Sequence, residues 1–232
     1  MEQVPIQIAE LLRKSAAELS LSCPDCSIPS FSTYLKELKK WNKVINLTAI
    51  QEDREIVVKH FIDSLAGLKV IEINNETTLL DVGAGAGFPS IPLRLVRPAL
   101  SVELLEPSER KGSFLRFVIG TLGISGVSVA TIKLENYVKR ESNRKRFDYV
   151  VVRAFKVDRL GIELGSLLKD EGKLVLFRAA KVEPGLRLDS LELVQEVEYE
   201  LPSGYGHRTL SVFKSRQHNG SVPRGTVVRS QA

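Results

Sequence analysis

The chain has 232 residues, 43% hydrophobic and 26% charged, values that exclude a disordered, collagen-like or coiled-coil protein. Its 33 Lys and Arg against 28 Asp and Glu give a net charge of +5. The bases after Phe213 (Lys214, Arg216, Arg224 and Arg229) supply +4 of that, leaving a body of +1. No run approaches the roughly 18 apolar residues of a membrane span. Met1 to Lys14 lacks the basic lead-in and apolar core of a secretory signal. Both cysteines, Cys23 and Cys26, share one short segment, which is no disulfide framework. A soluble, cytoplasmic protein is expected.

Apolar residues recur at helical spacing at Ile8, Leu11, Leu12 and Leu19, and again at Phe31, Tyr34, Leu35, Leu38 and Ile45. Cys23-Pro24-Asp25-Cys26 punctuates the interval as a turn. Asp53 reads as the N-cap of a third helix with Val57, Phe61, Leu65 and Leu68 on one face. From Thr77 the period changes. Thr78 to Val82 is a short apolar strand ending in glycines, followed by a helix with Pro89 and Pro92 in its first turns, where missing amides cost little. Then come a strand (Val102 to Glu106), a helix (Ser108 to Leu122, with Phe114, Leu115, Val118 and Leu122 inward) and a strand (Val127 to Ala130). Tyr149 to Val152, a helix near Leu160 to Leu168, and Lys173 to Phe177 continue the alternation. Leu193 to Tyr199 and Leu210 to Phe213 close as a hairpin with a long loop. Such alternation predicts a parallel sheet covered on both faces. Residues 1–76 thus read as an N-terminal helical cap, 77–214 as the core, and 215–232, polar with Gly and Pro, as a disordered basic tail.

Three basic clusters stand in the body: Lys36, Lys39, Lys40 and Lys43; Arg110, Lys111 and Arg116; and Lys139 to Arg146. They suit a polyanion partner, and equally an ordinary solvated surface.

The strongest local signal is Asp81-Val82-Gly83-Ala84-Gly85-Ala86-Gly87-Phe88, between a strand and a helix. A dinucleotide site expects G-x-G-x-x-G with the pyrophosphate on the helix N-terminus. Here the third glycine comes one residue early, and an acid precedes the first by two. This resembles motif I of S-adenosylmethionine-dependent methyltransferases. That cofactor carries an ammonium, a sulfonium and a ribose and no phosphate, so a carboxylate at the strand end, Asp81, suits it. Glu106, 25 residues on, closes the next strand where a carboxylate can accept ribose hydroxyls. Asp81 as a simple cap is the plain alternative.

Trp41-Asn42, Asn46-Leu47-Thr48, His60-Phe61-Ile62-Asp63-Ser64, the Gly83 loop with Pro89 and Ile91-Pro92, Ser108 to Lys111, and Arg153-Ala154-Phe155 follow in order. That set resembles the bacterial small-subunit ribosomal RNA guanine-N7 methyltransferase G family, long called glucose-inhibited division protein B. The resemblance runs from Phe31 to Lys214 and is specific as a set. It implies an α/β, class I (Rossmann-like) S-adenosylmethionine-dependent methyltransferase, with a seven-stranded mostly parallel sheet behind the helical cap. The implied partner is small-subunit (16S) ribosomal RNA or the small subunit, met by a monomer with no membrane association. Carried over position by position, Gly83, Phe88, Leu134 and Glu135 contact the cofactor, and Arg153 closes the site. Asp81, Gly85 and Glu106 join them from the loop's own chemistry, and Arg110 and Lys111 are the candidate RNA contacts. Departures are Glu106 where the family often has Asp, and Arg178-Ala179 in place of a Lys-Gly pair.

Elimination points the same way. Pyrimidine C5 methylation needs a thiolate nucleophile near the sheet, and the only cysteines lie in the N-terminal turn. Exocyclic adenine methylation needs an Asn/Asp-Pro-Pro-aromatic motif, where Val151-Val152-Arg153-Ala154-Phe155 stands instead. Guanine N7 has a free lone pair and needs no general base, only alignment, so no catalytic residue is named. Arg153 reads either as a strand-end salt bridge or as a donor to cofactor or phosphate; on N7 itself it would block the lone pair. His60, Asp63 and Ser64 lack a nucleophile elbow, and His60 with Asp63 at i, i+3 reads as a local pair. Cys23 and Cys26 have no second ligand pair at zinc spacing, so no metal is expected. The rival classes are a nicotinamide-dependent Rossmann oxidoreductase, a methyltransferase of a different RNA, and a non-catalytic RNA-binding module.

Overall fold

The computed structural model describes residues 6–153, 160–182, 188 and 190–216. Ala154-Phe155 and residues 217–232 lie outside that set. At the front, α1 (Ile6–Glu18) buries Leu12 and Ala16, and α2 (Ile28–Asn42) buries Phe31, Tyr34, Leu35 and Leu38. In α2 this is the predicted face, with Pro29 in its first turn; in α1 Leu12 is buried as expected, but Leu11 is half-buried and Leu19 lies just past the helix end. Ile45 falls beyond the end of α2. The Cys23–Cys26 turn is there, tightened by a 3₁₀ helix over Asp25–Ser27.

The third helix is irregular. It opens as α3 (Asp53–Ile56), widens to a π-helix over Val57–Ile62, returns as α4 (Asp63–Leu65) and ends in a 3₁₀ turn, Ala66–Lys69. Asp53 is not its N-cap: Glu52 holds that position without a side-chain bond, and Asp53 pairs with Lys39 of α2. Val57, Phe61 and Leu65 are buried as predicted.

Seven strands form one sheet in the order β3-β2-β1-β4-β5-β7-β6. They are β1 (Thr78–Val82), β2 (Ser101–Leu105), β3 (Val127–Ala130), β4 (Phe147–Arg153), β5 (Leu168–Arg178), β6 (Leu191–Glu200) and β7 (His207–Ser215). All pairs through β5 are parallel, and β7 runs antiparallel to both neighbours. Between them lie α5 (Ser90–Val96), α6 (Glu109–Leu122), α7 (Leu134–Tyr137) and α8 (Gly161–Leu167). Ser108 caps α6, its hydroxyl accepting from the Lys111 amide, and Gly123 ends it in the left-handed conformation. Alternation along the strands makes two cores. Leu79, Leu104, Val151 and Val175 pack against the front helices, and Leu80, Leu105, Val150 and Leu174 against α7 and α8.

The sheet departs from expectation in four places. Strand β2 ends one residue before Glu106. Strand β5 begins at Leu168, directly where α8 stops. The hairpin loop is short, residues 201–206, carried by a 3₁₀ turn at Pro202–Gly204. Ser215 belongs to β7, and the Arg216 amide donates to Ser190 O, so chain order extends past the predicted start of the tail. Among the described residues, no helix is long and apolar enough to cross a membrane.

Candidate functional site

Strand order reverses between β1 and β4, the point where an open α/β sheet leaves a crevice beyond its carboxyl ends. Register decides what lines it. Asp81 pairs with Leu104 of β2 and Val151 of β4. Glu106 and Arg153 each stand two residues further along, so all three side chains face the front helices at one sheet edge.

The loop between β1 and α5 is held from three sides. Gly83 and Ala84 amides donate to Leu105 O, at 2.8 and 3.2 Å. The Gly85 amide donates to Glu106 Oε2 at 2.9 Å, and the buried Tyr34 hydroxyl donates to Ala86 O. Gly83, Gly85 and Gly87 have φ of +75°, +58° and +93°, a region costly for any side chain. A Cβ on Gly83 would enter open space, whereas one on Gly87 would strike Ile91 Cδ1 at 2.5 Å.

Asp81 is fully buried, and burial pushes its carboxyl up to about 7, against the pull of Ser90 and the Arg153 charge. Its Oδ2 accepts the Ser90 amide at 3.3 Å, while Oδ1 is buried without a partner. Glu106 does more than expected. Besides the Gly85 amide it accepts the Ser108 amide on Oε1 at 2.9 Å, so it ties the glycine loop to the start of α6. Each of its oxygens keeps a second lone pair.

Arg153 is the last residue of β4 rather than just past it. It does make the salt bridge: Nη2 lies 2.7 Å from Asp63 Oδ2 and donates to Lys59 O at 2.6 Å. Nη1 is buried without a partner. The expected His60–Asp63 pair is therefore absent. In the π-helical segment, bonded i→i+5, residues three apart no longer share a face. Asp63 turns to Arg153 and Tyr199 instead, and His60 Nε2 meets Thr48 Oγ1 at 2.7 Å. Burial and the Arg153 charge lower His60 to about 3, so its imidazole is neutral.

Phe88 is buried in an aromatic stack, 4.6 Å from the His60 ring centroid and 5.4 Å from that of Tyr34. Leu134 is buried against the rear core, and Glu135 is exposed in the first turn of α7. Arg110 and Lys111 occupy the first turn of α6, at the same sheet edge as the loop, with Arg110 exposed. The third basic cluster, Lys139 to Arg146, does not all gather there. Arg144, Lys145 and Arg146 precede β4, at the opposite end of the sheet, and pair with Glu141, Asp170 and Glu103.

Sequence reading missed Tyr34 as the clamp on Ala86, and missed Asp63 with Tyr199 as the partners behind Arg153. The tyrosines' apolar periodicity marked them as core, and their hydroxyls gave no separate signal.

A family model described as rRNA small subunit methyltransferase G matches residues 27–205. A ribosomal RNA small subunit methyltransferase G from Pelotomaculum thermopropionicum is 32% identical over 216 residues, 89% of this chain and 90% of that one. Its counterpart from Streptococcus suis is 33% identical over 224 residues, covering 93% and 94%. Among solved structures, a SAM dependent methyltransferase from Aquifex aeolicus shares the fold, with a TM-score of 0.51 at 16% identity over 68% of this chain and 92% of that one. With the glycine loop, its flanking carboxylates and matches of this extent, the chain belongs to the rRNA small subunit methyltransferase G family.

Proposed function

We propose that this protein transfers a methyl group from S-adenosylmethionine to N7 of a guanine in small-subunit (16S) ribosomal RNA. One observation carries the donor site: a buried, unpartnered carboxylate oxygen (Asp81 Oδ1) and a buried, unpartnered guanidinium nitrogen (Arg153 Nη1) at the same sheet edge. Buried polar atoms of this kind are ordinarily satisfied. The donor's amino-acid end, an ammonium and a carboxylate, has the complementary charges for both. The open space over Gly83 lets a ligand approach the backbone, and Glu106 has lone pairs left for ribose hydroxyls. A pyrophosphate cofactor fits poorly, since burying its charge beside Asp81 sets anion against anion.

When bound, the donor supplies an electrophilic methyl on a sulfonium. The chain's own part is to hold that methyl in line and keep water away. The hydrogen-bonded loop, the buried Glu106 carboxylate and the stack of half-buried His60 on buried Phe88 and Tyr34 are packed groups suited to such positioning. Guanine N7 has a lone pair and no proton, so no residue must act as a general base. Neutral His60, with Thr48 and Arg153 beside it, fits an orienting role. Arg110 and Lys111 offer phosphate contacts that position the RNA without reading it. Leu134 and Glu135, beyond β3, complete the proposed donor contacts.

The test is transfer of labelled methyl onto small-subunit RNA lacking its own modification. N7 methylation leaves a cationic ring that opens on reduction, so the product maps as strand scission at one guanine. Label in RNA without a scission site overturns the N7 assignment alone. Label absent from RNA overturns the substrate.

A further inference from the structure

Asp63 lies outside the reading above, yet it is 2% exposed and its carboxylate is used on both oxygens. Oδ2 lies 2.7 Å from Arg153 Nη2. Oδ1 accepts the Tyr199 hydroxyl at 2.7 Å and lies 3.8 Å from Arg208 Nε. Burial beside Asp63 pushes the Tyr199 phenol up, so it stays a donor. The cluster gathers residues from α4 (Asp63), β4 (Arg153), β6 (Tyr199) and β7 (Arg208) at one end of the sheet.

As a tie between front helices and sheet, this is an expensive device. Two charges leave water, and well-packed apolar side chains of similar volume hold such a junction as well or better. What an ion pair adds is direction. A guanidinium is a rigid planar fork. With Nη2 fixed by Asp63 Oδ2 and Lys59 O, and Cζ 6.0 Å over the Phe88 ring, the plane of Arg153 is set and so is Nη1. Nη1 alone is left buried and unpartnered.

We propose that Asp63 is a positioning residue: seated by Tyr199, it holds Nη2 of Arg153 so that Nη1 is presented to the carboxylate end of the methyl donor. This rests on the donor site proposed above. Asp63 touches neither donor nor RNA; it acts through Arg153.

The test uses the full chain, S-adenosylmethionine titrated calorimetrically, and methyl transfer to unmodified small-subunit RNA, each below the variant's thermal midpoint. Asp63→Asn should weaken donor binding at least tenfold. Tyr199→Phe, which removes only the bond behind Asp63, should weaken it about threefold and raise the donor KM more than it lowers kcat. In an Arg153→Ala background, Asp63→Asn should change kcat/KM for the donor no more than twofold, because the group it positions is gone. Wild-type donor affinity in Tyr199→Phe and in whatever Asp63→Asn folds would overturn the proposal, and so would defects that multiply with Arg153→Ala. A wild-type chain that binds no donor at all overturns the underlying site, and this inference with it.

Discussion

Gly83 and Gly87 are both glycines at positive φ in one loop, yet alanine should harm them in different ways. At Gly83, φ +75°, the new methyl meets nothing within 4 Å. The fold then bears only the left-handed conformation of a non-glycine residue, about 1–2 kcal/mol. At Gly87, φ +93°, the methyl would lie 2.5 Å from Ile91 Cδ1 and 2.8 Å from the Tyr34 hydroxyl. Overpacking adds about 1–3 kcal/mol there, for a total of about 2–5 kcal/mol. At about 2–4 °C per kcal/mol for a chain of this size, Gly83→Ala should lower the thermal midpoint by about 2–8 °C and Gly87→Ala by more. Binding should follow the opposite order per degree lost. A methyl in the space over Gly83 displaces the donor from at least one hydrogen bond of about 1.5 kcal/mol, so affinity falls about tenfold or more. Thermal scanning and donor titration of the two variants decide it. Unchanged affinity in Gly83→Ala would mean that the donor does not use that space. A Gly87→Ala protein no less stable than Gly83→Ala would sink the packing argument.

Glu106→Gln should weaken donor binding roughly 10- to 150-fold, the loss of a charge-assisted bond of about 1.5–3 kcal/mol. It should also lower the midpoint, because a Gln amide nitrogen cannot accept from the Gly85 or Ser108 amide; calorimetry and thermal scans read both. Asp81, raised from 3.8 to about 7 by burial, stabilises the fold fully below about pH 4, and that contribution is lost as pH rises through about 7. Stability of wild type relative to Asp81→Asn should therefore fall across that window, measured by denaturation at stepped pH; a flat difference refutes it. His60, lowered from 6.5 to about 3, acts in reverse, and His60→Gln should remove a loss of stability that sets in as pH falls below about 6.5. RNA binding should weaken steeply with salt, and Arg110→Ala with Lys111→Ala should flatten the log–log slope by about 1.5, at roughly 0.7–0.9 per phosphate contact. An unchanged slope in filter binding removes both residues from the interface.

Strand β1 (Thr78–Val82) lies where its apolar run predicted, since a buried parallel strand is a short apolar run closed by turn residues; β3 (Val127–Ala130), a partly exposed edge strand, also keeps its predicted bounds. The acids of the site were legible for a related reason: a carboxylate ending such a run, as at Asp81 and Glu106, is out of place unless something uses it. The third helix hid its irregularity, because Val57, Phe61 and Leu65 repeat every four residues and suit an ordinary helix as well. The contacts that complete the site were invisible. Tyr34 reaches Ala86 across 52 positions and Asp63 reaches Tyr199 across 136, separations that no local periodicity encodes. Arg153 carried two readings in sequence: the salt bridge is present through Nη2, while the contact to the donor is proposed for the unpartnered Nη1.

The π-helical stretch Val57–Ile62 also sets how the chain tolerates length change. Bonded i→i+5, the stretch takes up one residue more than ordinary pitch would, so one residue removed from it restores that pitch with the downstream phase nearly kept. Asp63 would then still face Arg153, and Leu65 would still face the front core. Residues 43–52, which carry no helix or strand, are less free, because Asn42 and His60 both hold Thr48. The π-helical turn is thus where this helix holds an extra residue, and the Asp63–Arg153 ion pair beyond it keeps its phase with or without that residue.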